Sequence, residues 1–204
     1  MPSGHGLRKC KCGNFYLLNE LVTICETESA DAPSPMHVQP DDLPTAVASA
    51  RTSDIELAAR LDYWHHLNHT YREQYKAHRE AEEDAYKTAW ETDNPDQRTL
   101  WQRFRKARRS PEYTPAPDRV ITYPLFIPTL EQRANMEYLL HLLASDEYRD
   151  RYGFDLAELH RELGQFEEAE KALHTLDMEI EGFAGRLLSE LIRTKQTAVV
   201  RYRL

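Results

Sequence analysis

Residues 154–176 read FDLAELHRELGQFEEAEKALHTL, and this stretch decides the fold class. Leu156, Leu159 and Leu163 recur at intervals of three or four, as do Phe166, Ala169, Leu173 and Leu176. That spacing lays each set along one face of a helix. Gly164 falls between the sets, where a chain leaving a helix can take positive φ without a Cβ clash. Glu167, Glu168 and Glu170 then occupy the first turns of the second helix, where acidic groups suit the helix dipole. The pattern predicts two short amphipathic helices folded back on each other at Gly164.

Small Ala157, then Gly164, aromatic Phe166, Ala169 and apolar Leu173 and Leu176 follow in an order that resembles a tetratricopeptide (TPR) repeat. The resemblance covers one hairpin. The repeat's closing proline is absent after Leu176, and no second copy recurs at a fixed period. A lone hairpin cannot bury its own face, so neighbouring segments must cover it, and a generic αα-hairpin accommodates the same residues.

A chain of 204 residues is long enough for one large or two small domains. The net charge of −8 disfavours nucleic acid or an anionic membrane as the main partner. No apolar run reaches the roughly 18 residues of a membrane span, and no apolar signal region opens the chain. The expected setting is soluble and cytoplasmic. Three cysteines clustered toward the start do not make a secreted disulfide framework, which leaves reduced thiols or a metal site.

Residues 4–25 read GHGLRKCKCGNFYLLNELVTIC. Phe15–Leu18 and Leu21–Ile24 are two apolar stretches that could pair as a small ribbon. The Cys10-Lys11-Cys12-Gly13 turn resembles half of a degenerate zinc ribbon, in which backbone amides point at thiolate sulfur. Structural zinc takes four ligands. Cys10, Cys12 and Cys25 supply three, with His37 or His5 as the fourth. The pattern departs from a zinc knuckle in having one residue rather than two between its cysteines, so a plain hairpin with reduced thiols is the other reading.

Residues 26–45 are rich in Pro, Ser and acidic groups and read as a linker. Asp42 or Thr45 can cap a short helix through Ala50, and Ser53 or Asp54 the next, whose stripe is Leu57, Leu61, Trp64, Leu67 and Tyr71. Asn68, His69 and Thr70 mark a break. A long charged helix to Glu91 follows, with a narrow seam of Tyr71, Tyr75, His78, Ala85 and Ala89, lying on one neighbour or projecting. Asp62, His65 and His69 could hold a metal on one helical face, although the Glu of a metalloprotease helix is missing between the histidines.

Asn94 and Pro95 are expected to open the next helix, with Leu100, Trp101, Phe104 and Ala107 on one face followed by Arg103, Arg105, Lys106, Arg108 and Arg109. Trp101, Phe104, Arg105, Arg108 and Arg109 are the candidate partner-binding residues, because interleaved aromatic and basic side chains can grip an acidic protein groove or phosphates. Residues 110–128 are Pro-rich, and Val120–Ile127 would run extended across a surface or add an edge strand. Thr129 and Gln132 form a capping-box pattern before a helix carrying Met136, Leu139, Leu140 and Leu143. A last helix over Ile180–Arg193 would turn Phe183, Leu187, Leu188, Leu191 and Ile192 inward, and Ala198–Tyr202 has a strand bias.

The expected architecture is mainly α: a bundle of TPR-like αα-hairpins, a small N-terminal β-ribbon at 1–25, a linker at 26–45, a charged helical region at 46–109, an extended segment at 110–128 and a helical region at 129–204. That order looks like bacterial proteins with no named activity, a resemblance that favours an adaptor or scaffold and supplies no site residues. No nucleophile elbow, phosphate loop or dinucleotide glycine pattern is present. The favoured reading is a non-catalytic protein-interaction protein, an adaptor, chaperone or toxin-neutralising partner, holding at most one structural zinc. The alternatives are a zinc-ribbon nucleic-acid binder and a metal-dependent hydrolase built on Asp62, His65 and His69.

Overall fold

The computed structural model describes residues 6–21, 35–105, 108–109, 111–115, 121–175, 178–200 and 202. The fold is mainly helical with a small three-stranded antiparallel sheet. Among the expectations above, His5, residues 22–24 of the second ribbon strand, Cys25, Lys106, Ala107, Val120 and Leu176 lie outside the described residues.

The sheet pairs differently from the expected ribbon. Strand β1 (Leu7–Lys9) lies between β2 (Phe15–Leu17) and β3 (Met36–His37), with Leu7 opposite Leu17 and Arg8 opposite His37. Phe15–Leu17 therefore pairs with the strand before the cysteine turn, because a three-residue loop there returns the chain at once. β3 falls within the stretch that reads as a linker. Leu7, Phe15 and Leu17 pack with Leu43 and Ala46 of α1 (Leu43–Ala48) and with Ile55, Ala58 and Ala59 of α2 (Ser53–Leu67).

Helix α2 is capped by Thr52, whose hydroxyl accepts from the Ile55 N–H at 3.2 Å, one residue ahead of the expected Ser53 or Asp54. Its other face carries Leu57, Leu61 and Trp64 into the main core, so α2 is apolar on two sides and forms the wall between two hydrophobic clusters. The main core also takes Met136, Leu139 and Leu143 of α5 (Leu130–Leu143), Tyr148 of α6 (Asp146–Arg149), Leu156, Ala157 and Leu159 of α7 (Gly153–Glu162), Ala169 and Leu173 of α8 (Phe166–His174), and Leu188 and Ile192 of α9 (Met178–Arg193). Each fully buried leucine here contributes about 1.5–3 kcal/mol. The capping box of Thr129 and Gln132 at the start of α5 is as expected.

Helices α7 and α8 pack on each other across Gly164, whose φ is +77°. The Gly164 N–H donates to Arg161 O at 2.9 Å and the Gln165 N–H to His160 O at 2.8 Å, the paired bonds of a Schellman turn. The end of α9 repeats the motif, with Lys195 N–H to Ile192 O at 3.0 Å and Gln196 N–H to Leu191 O at 2.8 Å. There the positive-φ position holds Lys195 at φ +54°. Phe183 is 57% exposed rather than inward. Gly182 leaves the helical region at φ 52°, so Phe183 starts a new helical segment out of register with the buried stripe.

Asn68 ends α2, and α3 (His69–Asp93) starts directly after it, as the sequence predicts. The first half of α3 is covered by the extended segment from Ile121: Tyr71 meets Phe126 edge to face at 4.8 Å, Tyr75 stacks on Tyr123 at 6.2 Å, and His78 Nε2 lies 2.7 Å from Thr122 Oγ1. Ala85 and Ala89 of the expected seam are exposed. Residues 121–129 form no strand, and Phe126 alone of its apolar run is buried, while Leu125 and Ile127 face out. Ala198 and Val200 are buried with Leu191, Tyr75 and Tyr123 while Val199 enters the main core, and the segment joins no sheet among the described residues. No helix of the described residues is long and apolar enough to cross a membrane.

Candidate functional site

The aromatic and arginine face is carried by α4 (Leu100–Phe104), which begins five residues after the expected start. Asn94 does not open it. The Asn94 N–H and side-chain amide both donate to Trp90 O, at 2.9 Å each, so Asn94 closes α3, and Pro95 supplies no N–H to continue it. α4 starts instead at a reciprocal box in which the Gln102 N–H donates to Thr99 Oγ1 at 3.3 Å and the Thr99 N–H to Gln102 Oε1 at 2.8 Å.

Leu100, Trp101 and Phe104 are 84%, 65% and 84% exposed, an unusual load of apolar surface for five residues. Trp101 and Phe104 meet edge to face at 6.3 Å, and the Arg105 guanidinium lies over the Trp101 ring at 4.5 Å. The arginines around them divide into two groups. Arg98 chelates Asp96 through Nε and Nη2, which with Arg103 holds the Asp96 carboxyl well below the usual range. Arg109 donates to Glu91 O and Asn94 O, ties Pro111 O, and lies 5.1 Å over the Trp90 ring, so it clamps the end of α3. Arg105 and Arg108 face out, Arg108 reaching the exposed Glu112 at 3.9 Å. Of the five predicted partner-binding residues, Trp101, Phe104 and Arg105 come together on the exposed face, Arg108 is exposed beside Glu112, and Arg109 belongs to the scaffold.

A second concave surface lies between α8 and α9, a cavity of about 490 Å³. Phe166, Leu173 and Ile192 line its apolar part, Glu167 and Glu170 its acidic side, and Arg193 and Lys195 its basic side. This is the groove beside the hairpin.

At the cysteine turn, Cys10 is half-buried and Cys12 exposed. The Cys12 N–H points at Cys10 Sγ at 3.3 Å, and the Asn14 side-chain amide at Cys12 Sγ at 3.3 Å. Hydrogen bonds from Cys10 and then from Asn14 hold the Cys12 thiol below its ordinary value. Two sulfurs accepting N–H bonds suit half of a thiolate metal site. His37 sits on β3 opposite Arg8, two positions along the strand from Cys10. Among the described residues, no group of three or more His, Cys, Asp or Glu side chains converges as a metal site.

The histidine helix is interrupted where the metal reading needs continuity. Asn68 ends α2 between His65 and His69, which therefore stand on successive helices. The His65 ring stacks on Trp64 at 4.8 Å, and Arg72 Nη2 lies 3.1 Å from His65 Nδ1. Asp62 is pushed up to about 6 by burial, against the pull of Arg8 in β1, and its Oδ2 is buried without a hydrogen-bond partner among the described residues.

Sequence reasoning missed a buried polar network. Arg161 is fully buried on α7, with Nε and Nη2 on the two Glu158 oxygens at 2.8 and 2.7 Å and Nη1 on Gln196 O at 2.6 Å. Tyr202 donates to Glu158 Oε2 at 2.7 Å. Glu162 Oε2 accepts from Trp64 Nε1 at 2.9 Å and Asn68 Nδ2 at 2.8 Å, and Gln132 bonds Asn68 Oδ1 at 3.2 Å. Burial, then the neighbouring Glu158, push the Glu162 carboxyl up to about 7 against Arg161. The network ties α2, α5, α7 and the C-terminal tail together. It opens onto neither concave surface described above, nor onto the shallower one of about 300 Å³ between α1, α2 and α5.

Compared with known proteins, the chain significantly matches no family, no curated protein and no solved structure.

Proposed function

We propose that this chain is a non-catalytic interaction protein of adaptor type that docks another protein on the α4 face, with the α8/α9 groove as a second contact. The observation that carries the reading is the exposure of Leu100, Trp101 and Phe104 side by side on one short capped helix. Side chains of this size, left in water, are the anchors on which protein interfaces concentrate their energy. Arg105, over the Trp101 ring, gives the same face positive charge in a chain of net charge −8. The complementary partner is an acidic segment with an apolar anchor. The resemblance of residues 154–176 to a TPR repeat supports the same reading, since stacked helical hairpins offer grooves between helices.

The test is affinity capture from the native cell with the wild-type chain and with a variant carrying Trp101→Ala and Phe104→Ala, both first shown to unfold at the same urea concentration. The reading expects one stoichiometric protein partner whose capture drops at least about tenfold in the variant. Equal capture by both proteins removes α4 from the account.

A further inference from the structure

We propose that Cys10 and Cys12 form a dithiol that undergoes exchange with disulfides, Cys12 supplying the attacking sulfur and Cys10 the resolving one. The turn itself brings the pair together. Cys10 N–H donates to Asn14 O at 2.8 Å and Gly13 N–H to Cys10 O at 2.9 Å, which closes the loop Lys11, Cys12, Gly13 with Gly13 at φ +88°. The Cys12 backbone N–H lies 3.3 Å from Cys10 Sγ, so the turn folds the first sulfur back over the second cysteine. β1 and β2 hold the turn on a buried base of Leu7, Phe15 and Leu17, and Lys9 is fastened to Asp42. The sulfurs are therefore presented on a fixed frame.

Arg51 decides how Asn14 faces Cys12. Arg51 Nη2 donates to Asn14 Oδ1 at 2.9 Å. A guanidinium can only donate, so the Asn14 oxygen must face it and the Asn14 nitrogen must face the other way. That nitrogen is the atom 3.3 Å from Cys12 Sγ, and Cys12 is thereby an acceptor. The Cys12 N–H does the same for Cys10 Sγ at 3.3 Å. Each sulfur has one N–H directed at it, an arrangement that suits a nucleophilic sulfur and a leaving sulfur alike. Exposure assigns the roles: Cys12 is open to a reagent, and Cys10 is half-buried behind it. Asn14 and Arg51 are positioning residues.

The substrate class is an accessible disulfide, R–S–S–R. Cys12, after giving its proton to water, attacks one sulfur. The R–S–S–R bond breaks, a Cys12–S–S–R mixed disulfide forms, and the first thiolate leaves and takes up a proton. Cys10, deprotonated in turn, attacks Cys12 Sγ and expels the second thiolate. One substrate disulfide is reduced to two thiols as the cysteine pair is oxidised, a two-electron balance that a dithiol reverses. A disulfide spanning one intervening residue in an exposed turn is of the labile kind.

The test uses the full chain, reduced and treated with a chelator, then exposed to oxidised glutathione, with the products read by intact-mass and peptide mass spectrometry. Expected is the loss of two hydrogens in wild type, a bond mapped between Cys10 and Cys12, and no retained glutathione. Cys10→Ser should trap glutathione on Cys12, Cys12→Ser should react at least about tenfold more slowly, and Asn14→Ala should slow the Cys12 step by about threefold or more. Glutathione retained on both sulfurs of wild type, a bond to Cys25 instead, or one equivalent of zinc that survives chelation and blocks reaction would each overturn the proposal. The wild-type map decides the matter even where a serine variant fails to fold.

Discussion

Arg161 and Arg105 both lie near an aromatic side chain, with opposite outcomes. On α7, Arg161 has no exposed surface and its donors are spent on Glu158 and Gln196 O, with Tyr202 completing the cluster. On α4, Arg105 lies over an exposed Trp101, and Leu100 and Phe104 stand in solvent around it. The first arrangement fixes how α7 meets the tail and, through Glu162, how it meets α2. The second leaves its apolar side chains exposed. Residues whose removal should matter for folding and residues available to a partner are therefore separable by burial, although both read as charged helix faces in sequence.

Truncation should show the contrast at its largest. Arg161→Met leaves Glu158 and Glu162 buried without their cation and should cost about 3–5 kcal/mol in urea unfolding, whereas Arg105→Met should stay within about 0.5 kcal/mol. Similar losses at both positions would erase the distinction.

Titration sharpens it next. The folded carboxyl of Glu162 lies near 7, above its ordinary value of 4.5, so the folded protein holds a proton that the unfolded chain has released. Stability from this group is full below about 4.5 and is lost as pH rises through about 7. Asp62 has the same sign between 3.8 and about 6. Glu162→Gln should flatten the upper part of the urea-midpoint profile and gain about 1–3 kcal/mol at mildly alkaline pH. An unchanged slope between about pH 5 and 8 would mean that Glu162 is not the group responsible.

The two Schellman turns offer a smaller contrast inside the scaffold. Gly164 and Lys195 occupy the same positive-φ position, and only glycine does so without strain. Lys195→Gly should stabilise by about 1 kcal/mol, and Gly164→Ala should destabilise by about the same amount. A Cβ at Gly164 would meet only Thr197 Cγ2 at 3.9 Å, so backbone strain rather than a clash sets that cost. Thermal unfolding of both variants checks the signs. Smallest of all should be the effect on stability of Trp101→Ala with Phe104→Ala, within about 0.5 kcal/mol, because neither ring covers the core.

What was legible in the sequence follows from the same contrast. Gly164, the Asn68 break and the Thr129/Gln132 box were readable because each is a local backbone event marked by a residue type suited to it. The ribbon pairing was not, since Leu7–Lys9 is too short to show alternation and its role comes from the turn that follows. Asn94-Pro95 carries the chemistry of a helix start and of a helix end, and only the Trp90 carbonyl that Asn94 caps distinguishes them. The aromatic stripe on α4 has core spacing but faces solvent, because spacing shows that a face exists and not what lies against it. Glu158, Arg161 and Glu162 fall outside the apolar set of Leu156, Leu159 and Leu163 from which the helix is read. Their burial depends on a tail more than thirty residues later in sequence, which no local pattern contains.

The most direct measurement of the central claim is amide hydrogen exchange of the full chain with and without its captured partner. Binding at α4 should bring new protection over residues 99–105, with the α7 network already slow to exchange and unchanged. Binding without added protection at α4 would contradict it.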